Sequence, residues 1–180
     1  MRVHIFGASG SGTSTLGRAL AARVDAAFLD TDDFYWKPTD PPYQEPQSRE
    51  DRLELLQEAI AQHTSWVLCG SLCGWGDPLI PLFELVVFLW VPTEVRIGRL
   101  RASEVREFGA KALAPGGPLH RNHEEFIDWA TAYDTGGPDM RSLFRHEAWL
   151  ARIPCPILRF DGELSVDCQV SRILAELAAA

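Results

Sequence analysis

Lysine is almost missing from this chain. Two lysines, Lys37 and Lys111, stand against fifteen arginines, so nearly every cationic contact to an anion must come from a guanidinium. Basic tracts are lacking too. The net charge is −8 and no stripe of Lys and Arg gathers, which argues against DNA, RNA or an anionic membrane as the main partner. No apolar run approaches membrane-spanning length, and the start of the chain passes from Met1 through a short apolar run straight into glycines, too short for a secretory signal. A cytoplasmic protein is expected. Cysteine is sparse: Cys69, Cys73, Cys155 and Cys168 make neither a small disulfide framework nor a paired CxxC zinc site, and they read as buried thiols. Apolar content is what the chain has. Its 180 residues are 46% hydrophobic, enough for one domain with a full core.

The apolar runs are short and alternate with helical patterns. Arg2 to Phe6, Ala26 to Leu29, Trp66 to Cys69, Leu85 to Val91 and Pro156 to Phe160 read as strands. The third and fourth are rich in the β-branched and aromatic residues of strands covered on both faces. Ser14 to about Arg23 reads as a helix, with Leu16, Ala19 and Leu20 at helical spacing. Ser48 and Asp51 form a capping box for a helix to about Gln62, Thr93 is placed to cap another, and Ser165 a last one. Lys37 to Pro46 holds four prolines and is a loop. Gly- and Pro-rich breaks at 115–118 and 136–138 divide the stretch before the fifth strand into two or three short helices. Strand and helix in alternation predict an α/β fold, a parallel sheet with helices on both faces and ligands outside the carboxyl ends of its strands. Gly7, Asp30 and Gly70 all fall at those ends.

Gly7, Ala8, Ser9, Gly10, Ser11, Gly12, Thr13, Ser14 fits G-x-x-x-x-G-K-[ST] except that Thr13 stands at the lysine position. Glycines let such a loop turn its backbone N–H groups toward phosphate oxygens, and the helix N-terminus behind it adds partial positive charge. Ser14 is placed to offer its hydroxyl to Mg²⁺, and Ser9, Ser11, Thr13 and Thr15 add neutral donors. A loop of this kind points to a nucleoside triphosphate, ATP before others. Loss of the loop cation leaves three explanations: an arginine from elsewhere replaces it, Lys37 reaches in, or nucleotide binds without fast phosphoryl transfer.

The end of the second strand carries Asp30, Thr31, Asp32 and Asp33. In an extended chain Asp30 and Asp32 point the same way, so one carboxylate would serve Mg²⁺ while the other meets the acceptor hydroxyl. Gly70, Ser71, Gly74 and Trp75 follow the third strand and are candidates to line the acceptor subsite. After the fourth strand, Arg96, Arg99 and Arg106 share one helical face, and an arginine there can fold over a transferring phosphoryl group. His120, His123 and Glu124 lack the cysteines of a zinc site, and a metal there is not expected.

Four segments together, GASGSGTST at Gly7 to Thr15, LDTDDFYW at Leu29 to Trp36, WVLCGS at Trp66 to Ser71 and VPTEVRIGRLR at Val91 to Arg101, carry a resemblance. The chain resembles the shikimate, gluconate and nucleoside-monophosphate kinase branch of P-loop proteins, and especially the adenylate-kinase-like relatives known as DNA topology modulation proteins. The resemblance implies a three-layer fold with a five-stranded parallel sheet and a helical lid at about residues 100–150, within one domain over 1–180. It also implies ATP as donor and Mg²⁺. Asp30 and Asp32 are similar to the DxD of shikimate-type kinases, with Asp30 on the metal and Asp32 on the acceptor, and Arg99 matches the lid arginine. Cys69 departs from the pattern: adenylate kinases carry an aspartate there.

The expected function is transfer of the ATP γ-phosphate to a hydroxyl or phosphate acceptor. Two rivals stand beside it, a nucleotide-binding module without efficient transfer and a slow NTP hydrolase. The acceptor is a small molecule, with nucleoside monophosphate, sugar acid and other alcohols all open.

Overall fold

The computed structural model describes residues 1–40, 42–161 and 164–179. Five strands, β1 (Arg2–Gly7), β2 (Ala27–Asp30), β3 (Trp66–Cys69), β4 (Leu85–Trp90) and β5 (Ile157–Asp161), form one sheet in the order β2-β3-β1-β4-β5, and every pairing is parallel. Parallel neighbours need crossover helices, and here these cover both faces. They are α1 (Thr13–Val24), α2 (Asp32–Tyr35), α3 (Arg49–Ala61), α4 (Thr93–Phe108), α5 (Ala110–Leu113), α6 (His120–Thr131), α7 (Leu143–Leu150) and α8 (Val166–Ala179).

The period-two alternation of the strands divides the core in two. Val3, Ile5, Val67, Cys69, Leu85, Val87 and Leu89 face α1 and α8, packing with Leu16, Leu20, Val170 and Ile173. Phe6, Trp66, Leu68, Val86 and Phe88 face the other layer, with Leu56 and Ile60 of α3 and Trp149 and Leu150 of α7. His4 lies on that second face, fully buried and stacked between Phe6 and Phe83 at centroid distances of 5.3 and 5.0 Å. Its Nδ1 bonds the Leu68 carbonyl at 3.1 Å while Nε2 has no partner, and burial lowers its pKa to about 3.

Most element boundaries follow their local signals. The Ser48 side chain accepts from the Asp51 amide at 3.0 Å, and the Ser165 hydroxyl accepts from the Cys168 amide at 3.3 Å, as capping requires. Thr93 does otherwise. It lies inside the first turn of α4, and its hydroxyl donates to Asp134, in the short turn after α6, rather than capping its own helix. The cysteines also divide: all are free thiols, yet only Cys69 is buried, Cys73 and Cys155 are half-buried and Cys168 is exposed. No helix among the described residues is long and apolar enough to cross a membrane.

Candidate phosphoryl-transfer site

The Gly7–Ser14 loop joins β1 to α1 at the carboxyl edge of the sheet, on the central strand. Gly10 and Gly12 take φ of 80° and 97°, a region that L side chains enter only at a cost. At Gly10 space forbids a side chain as well, because a Cβ would stand 2.6 Å from the Arg96 carbonyl oxygen and 3.0 Å from Leu100 Cγ. The loop is thus pressed against α4. Gly12 is the N-cap of α1 and has no side chain to satisfy the first-turn amides, so Thr13, Ser14 and Thr15 present N–H groups at the positive end of a twelve-residue helix. That arrangement fits an anion.

Ser9, Gly10, Gly12, Thr13 and Ser14 are half-buried and Thr15 is exposed around this cradle. Ser11 behaves differently from the expectation that its hydroxyl faces phosphate. It is 5% exposed, its Oγ is buried with no partner, and its amide donates to the Ala8 carbonyl at 3.1 Å. It forms the floor of the loop.

Asp30, the last residue of β2, pairs in register with Cys69. The Ser14 hydroxyl donates to Asp30 Oδ2 at 2.7 Å, so two residues sixteen apart are brought into one oxygen pair. Adjacent oxygens on an octahedral Mg²⁺ lie about 2.9 Å apart, and this hard-oxygen pair fits such an ion, with phosphate and water oxygens completing it. Asp32 departs from the expected geometry. The strand ends at Asp30, Thr31 is already helical at φ −62° and ψ −26°, and Asp32 opens α2 with its amide donating to Asp30 Oδ1 at 3.2 Å. The two carboxylates are therefore set by a turn rather than by strand alternation. Asp32 is exposed overall, yet the packing around its carboxyl raises its pKa, with Arg141 opposing the rise and Asp30 and Asp33 reinforcing it.

Beyond β3, Gly70 has φ 101°, and a Cβ there would collide with the Thr31 side chain. Ser71 comes next. Its Oγ is 3.0 Å from His146 Nε2, and the Cys73 amide donates to the same oxygen at 3.4 Å. Trp75, expected to line the acceptor, is 8% exposed and packs into the core, its Nε1 donating to the Ser71 carbonyl at 3.1 Å. Its ring is held in the core rather than presented to the ligand edge. His146 and Tyr133 gave no local signal in the sequence, since each lies more than sixty residues from Ser71.

The α4 arginines part company. Arg96 is 1% exposed and bonds Val91 O, Ala130 O, Thr93 Oγ1 and Asp134 Oδ2 at 2.9 to 3.2 Å. Arg99, three residues on, is exposed, and its Nη1 lies 3.4 Å from the Ser11 carbonyl. The structure brings Arg99 to the loop and locks Arg96 away from it. Arg106, in the exposed last turn of α4, is not among the residues that meet the loop. Lys37 pairs with Glu45 within the Pro-rich segment. Cys69 donates to the Thr13 carbonyl at 3.3 Å, and burial drives its pKa upward, so it is an inert packing thiol. His123 bonds Glu104, and no group of three potential metal-binding side chains gathers among the described residues.

Residues 3–112 match the AAA_18 family, described as an AAA domain. The chain belongs to the AAA_18 family. A Bacillus subtilis protein, "Uncharacterized protein YqaC", is 41% identical over 177 residues, covering 98% of this chain and 97% of that one. Among solved structures, a shikimate kinase from Bacteroides thetaiotaomicron superposes with a TM-score of 0.61 at 19% identity, covering 99% and 98% of the two chains. A deoxyadenosine kinase from M. mycoides with bound dATP gives 0.56 at 16% identity, covering 99% and 100%. A gluconokinase from Sinorhizobium meliloti gives 0.52 at 20%, covering 99% and 91%. This AAA_18 member therefore has the α/β three-layer fold of P-loop kinases.

Proposed function

We propose that this chain is an ATP-dependent kinase acting on a small-molecule hydroxyl. The observation that carries the reading is the 2.7 Å contact between Ser14 Oγ and Asp30 Oδ2, a pair of hard oxygens beside the glycine loop that supports a Mg²⁺ site there. When bound there, Mg²⁺ would neutralise charge on the β- and γ-phosphates. The first-turn amides of Thr13, Ser14 and Thr15, with the loop around Ser9, Gly10 and Gly12, hold the phosphate oxygens. Arg99 supplies the cation that Thr13 does not.

In the transfer, the acceptor oxygen bonds to the γ-phosphorus as the bond from that phosphorus to the bridging oxygen breaks. ADP departs with that electron pair. The hydroxyl proton passes to Asp32, whose raised pKa suits it to accept one. Gly70 and Ser71 border the acceptor.

The neutral Thr13 favours a second reading, a nucleotide-binding module without useful turnover. Calorimetry with ATP and Mg²⁺, followed by ADP release in the presence of shikimate, D-gluconate or deoxyadenosine, separates them. The kinase reading expects micromolar ATP binding that a Ser14→Ala, Asp30→Ala double variant loses, together with acceptor-dependent ADP release. Binding without release on any acceptor supports the module. If wild type does not bind and Thr13→Lys does, both readings fail.

A further inference from the structure

Tyr133, His146 and Ser71 form an unbroken chain of hydrogen-bonding side chains from the interior to the carboxyl edge of the sheet. Tyr133, in the short turn after α6, is 3% exposed, and its hydroxyl is 2.7 Å from His146 Nδ1. His146, on α7, is fully buried, and its Nε2 is 3.0 Å from Ser71 Oγ. The direction of the protons follows from counting donors. Burial drives the Tyr133 pKa upward, so the phenol keeps its proton, and Nδ1 is the acceptor within reach for it. A neutral imidazole accepting at Nδ1 carries its hydrogen on Nε2 and donates it to Ser71 Oγ. Burial, together with the charges of Arg141 and Arg145 and the proximity of His4, holds His146 neutral with a pKa of about 3. Ser71 Oγ then receives two N–H groups, from His146 and from the Cys73 amide. Its own hydrogen is left to donate, with the Cys73 sulfur as the neighbouring acceptor that a ligand oxygen would replace.

We propose that His146 is a positioning residue which, braced by Tyr133, fixes the Ser71 hydroxyl as a donor to an oxygen of the acceptor molecule. This deepens the kinase reading and rests on it for the identity of the bound molecule. Ser71 is half-buried two residues beyond β3, on the ligand edge of the sheet. The far end of the chain is tied to the loop: the Arg96 guanidinium lies 5.0 Å from the Tyr133 ring centroid and belongs to the same helix as Arg99. A fixed donor discriminates between acceptors, since an analogue without an oxygen at that point leaves the serine unpaired.

The test uses full-length protein labelled with ¹⁵N-histidine, read by long-range ¹H–¹⁵N correlation, with the His146 signals assigned by their loss in His146→Gln. The expected result is a neutral Nε2–H tautomer from pH 8 to pH 5, turned into a tautomer mixture by Tyr133→Phe. Shikimate, D-gluconate and deoxyadenosine are then added separately with ADP and Mg²⁺. At least one should move the Nε2 signal in wild type and fail to move it in Ser71→Ala. For that compound, Ser71→Ala and His146→Ala should each raise the acceptor KM at least tenfold, with a smaller change in kcat and an unchanged KM for ATP. His146→Gln, which keeps a donor, should recover part of the loss. An Nδ1–H tautomer, or an equal loss of ATP affinity, overturns the proposal. If a compound moves the signal but no phosphate is transferred, the relay stands and the kinase reading falls. If none of the three moves it, the chain is only a packing device.

Discussion

The two halves of the cleft are built in opposite ways. The proposed phosphate half consists of one continuous segment, Gly7 to Thr15, which would bind through backbone amides, and from outside it takes contacts from Asp30 and Arg99. The proposed acceptor half is assembled from Ser71, Tyr133 and His146, whose side chains meet only because the segments that follow β3 and α6 both reach α7. Backbone groups at a helix start hold their place through the helix itself. Side chains from separated elements hold theirs only while the packing around them survives. The phosphate half should therefore tolerate perturbation of the core better than the acceptor half.

Acid is the strongest way to expose that difference. His4 and His146 are both held neutral with pKa values near 3, and both belong to the layer beneath the acceptor half. Their folded pKa values lie below the unfolded value of about 6.5. The unfolded state thus binds more protons, and their contribution is complete above pH 6.5 and lost as pH falls toward 3. Urea denaturation should show stability dropping by about 3 kcal/mol between pH 6.5 and pH 5, the slope approaching about 1.4 kcal/mol per histidine per pH unit once the unfolded imidazoles are protonated. The raised pKa values of Asp32 and Asp33 act in the opposite sense and trim this figure. A flat profile would mean that one or both histidines are hydrated in solution.

Arg99→Ala tests the phosphate half. It should lower the transfer rate by about 10² to 10³, equivalent to about 3 kcal/mol, while leaving the pH-dependent stability unchanged. Adding Thr13→Lys should restore part of the rate, because the lysine would supply charge to the same phosphates. A loss in Arg99→Ala that Thr13→Lys does not touch would assign Arg99 to some other task. The smallest effect is a control remote from both halves: Ser48→Ala removes the cap of α3 and should cost about 1 kcal/mol in thermal unfolding with ATP binding and the His146 tautomer unaltered. A change in either would show that the halves are coupled through α3.

The elements that could be read from the chain were those with local causes. Strand alternation, the Ser48 cap, the proline-rich loop and the glycine loop depend on residues within a few positions of one another, and each formed where its pattern lay. Errors arose where a neighbour in space overruled a neighbour in sequence. Thr93 had the right identity to cap α4, but Asp134 drew its hydroxyl away. Asp30 and Asp32 had the right spacing for one strand face, but the chain had already turned into α2. Trp75 looked available to a ligand, but the core took its ring and the Ser71 carbonyl its N–H. Arg96 and Arg99 shared a face on paper and have opposite fates, because the first meets α6 and the second meets the loop.

The sequence by itself determined the α/β order and the glycine loop between the first strand and the first helix, since these follow from backbone periodicity and from glycines that close neighbours require. Only the tertiary structure decided which cation stands over the loop and which histidine touches Ser71. Arg99 lies 88 residues from Ser11 and His146 lies 75 from Ser71, and contacts across such separations are set by helix packing on the sheet, which leaves no periodic trace in the chain.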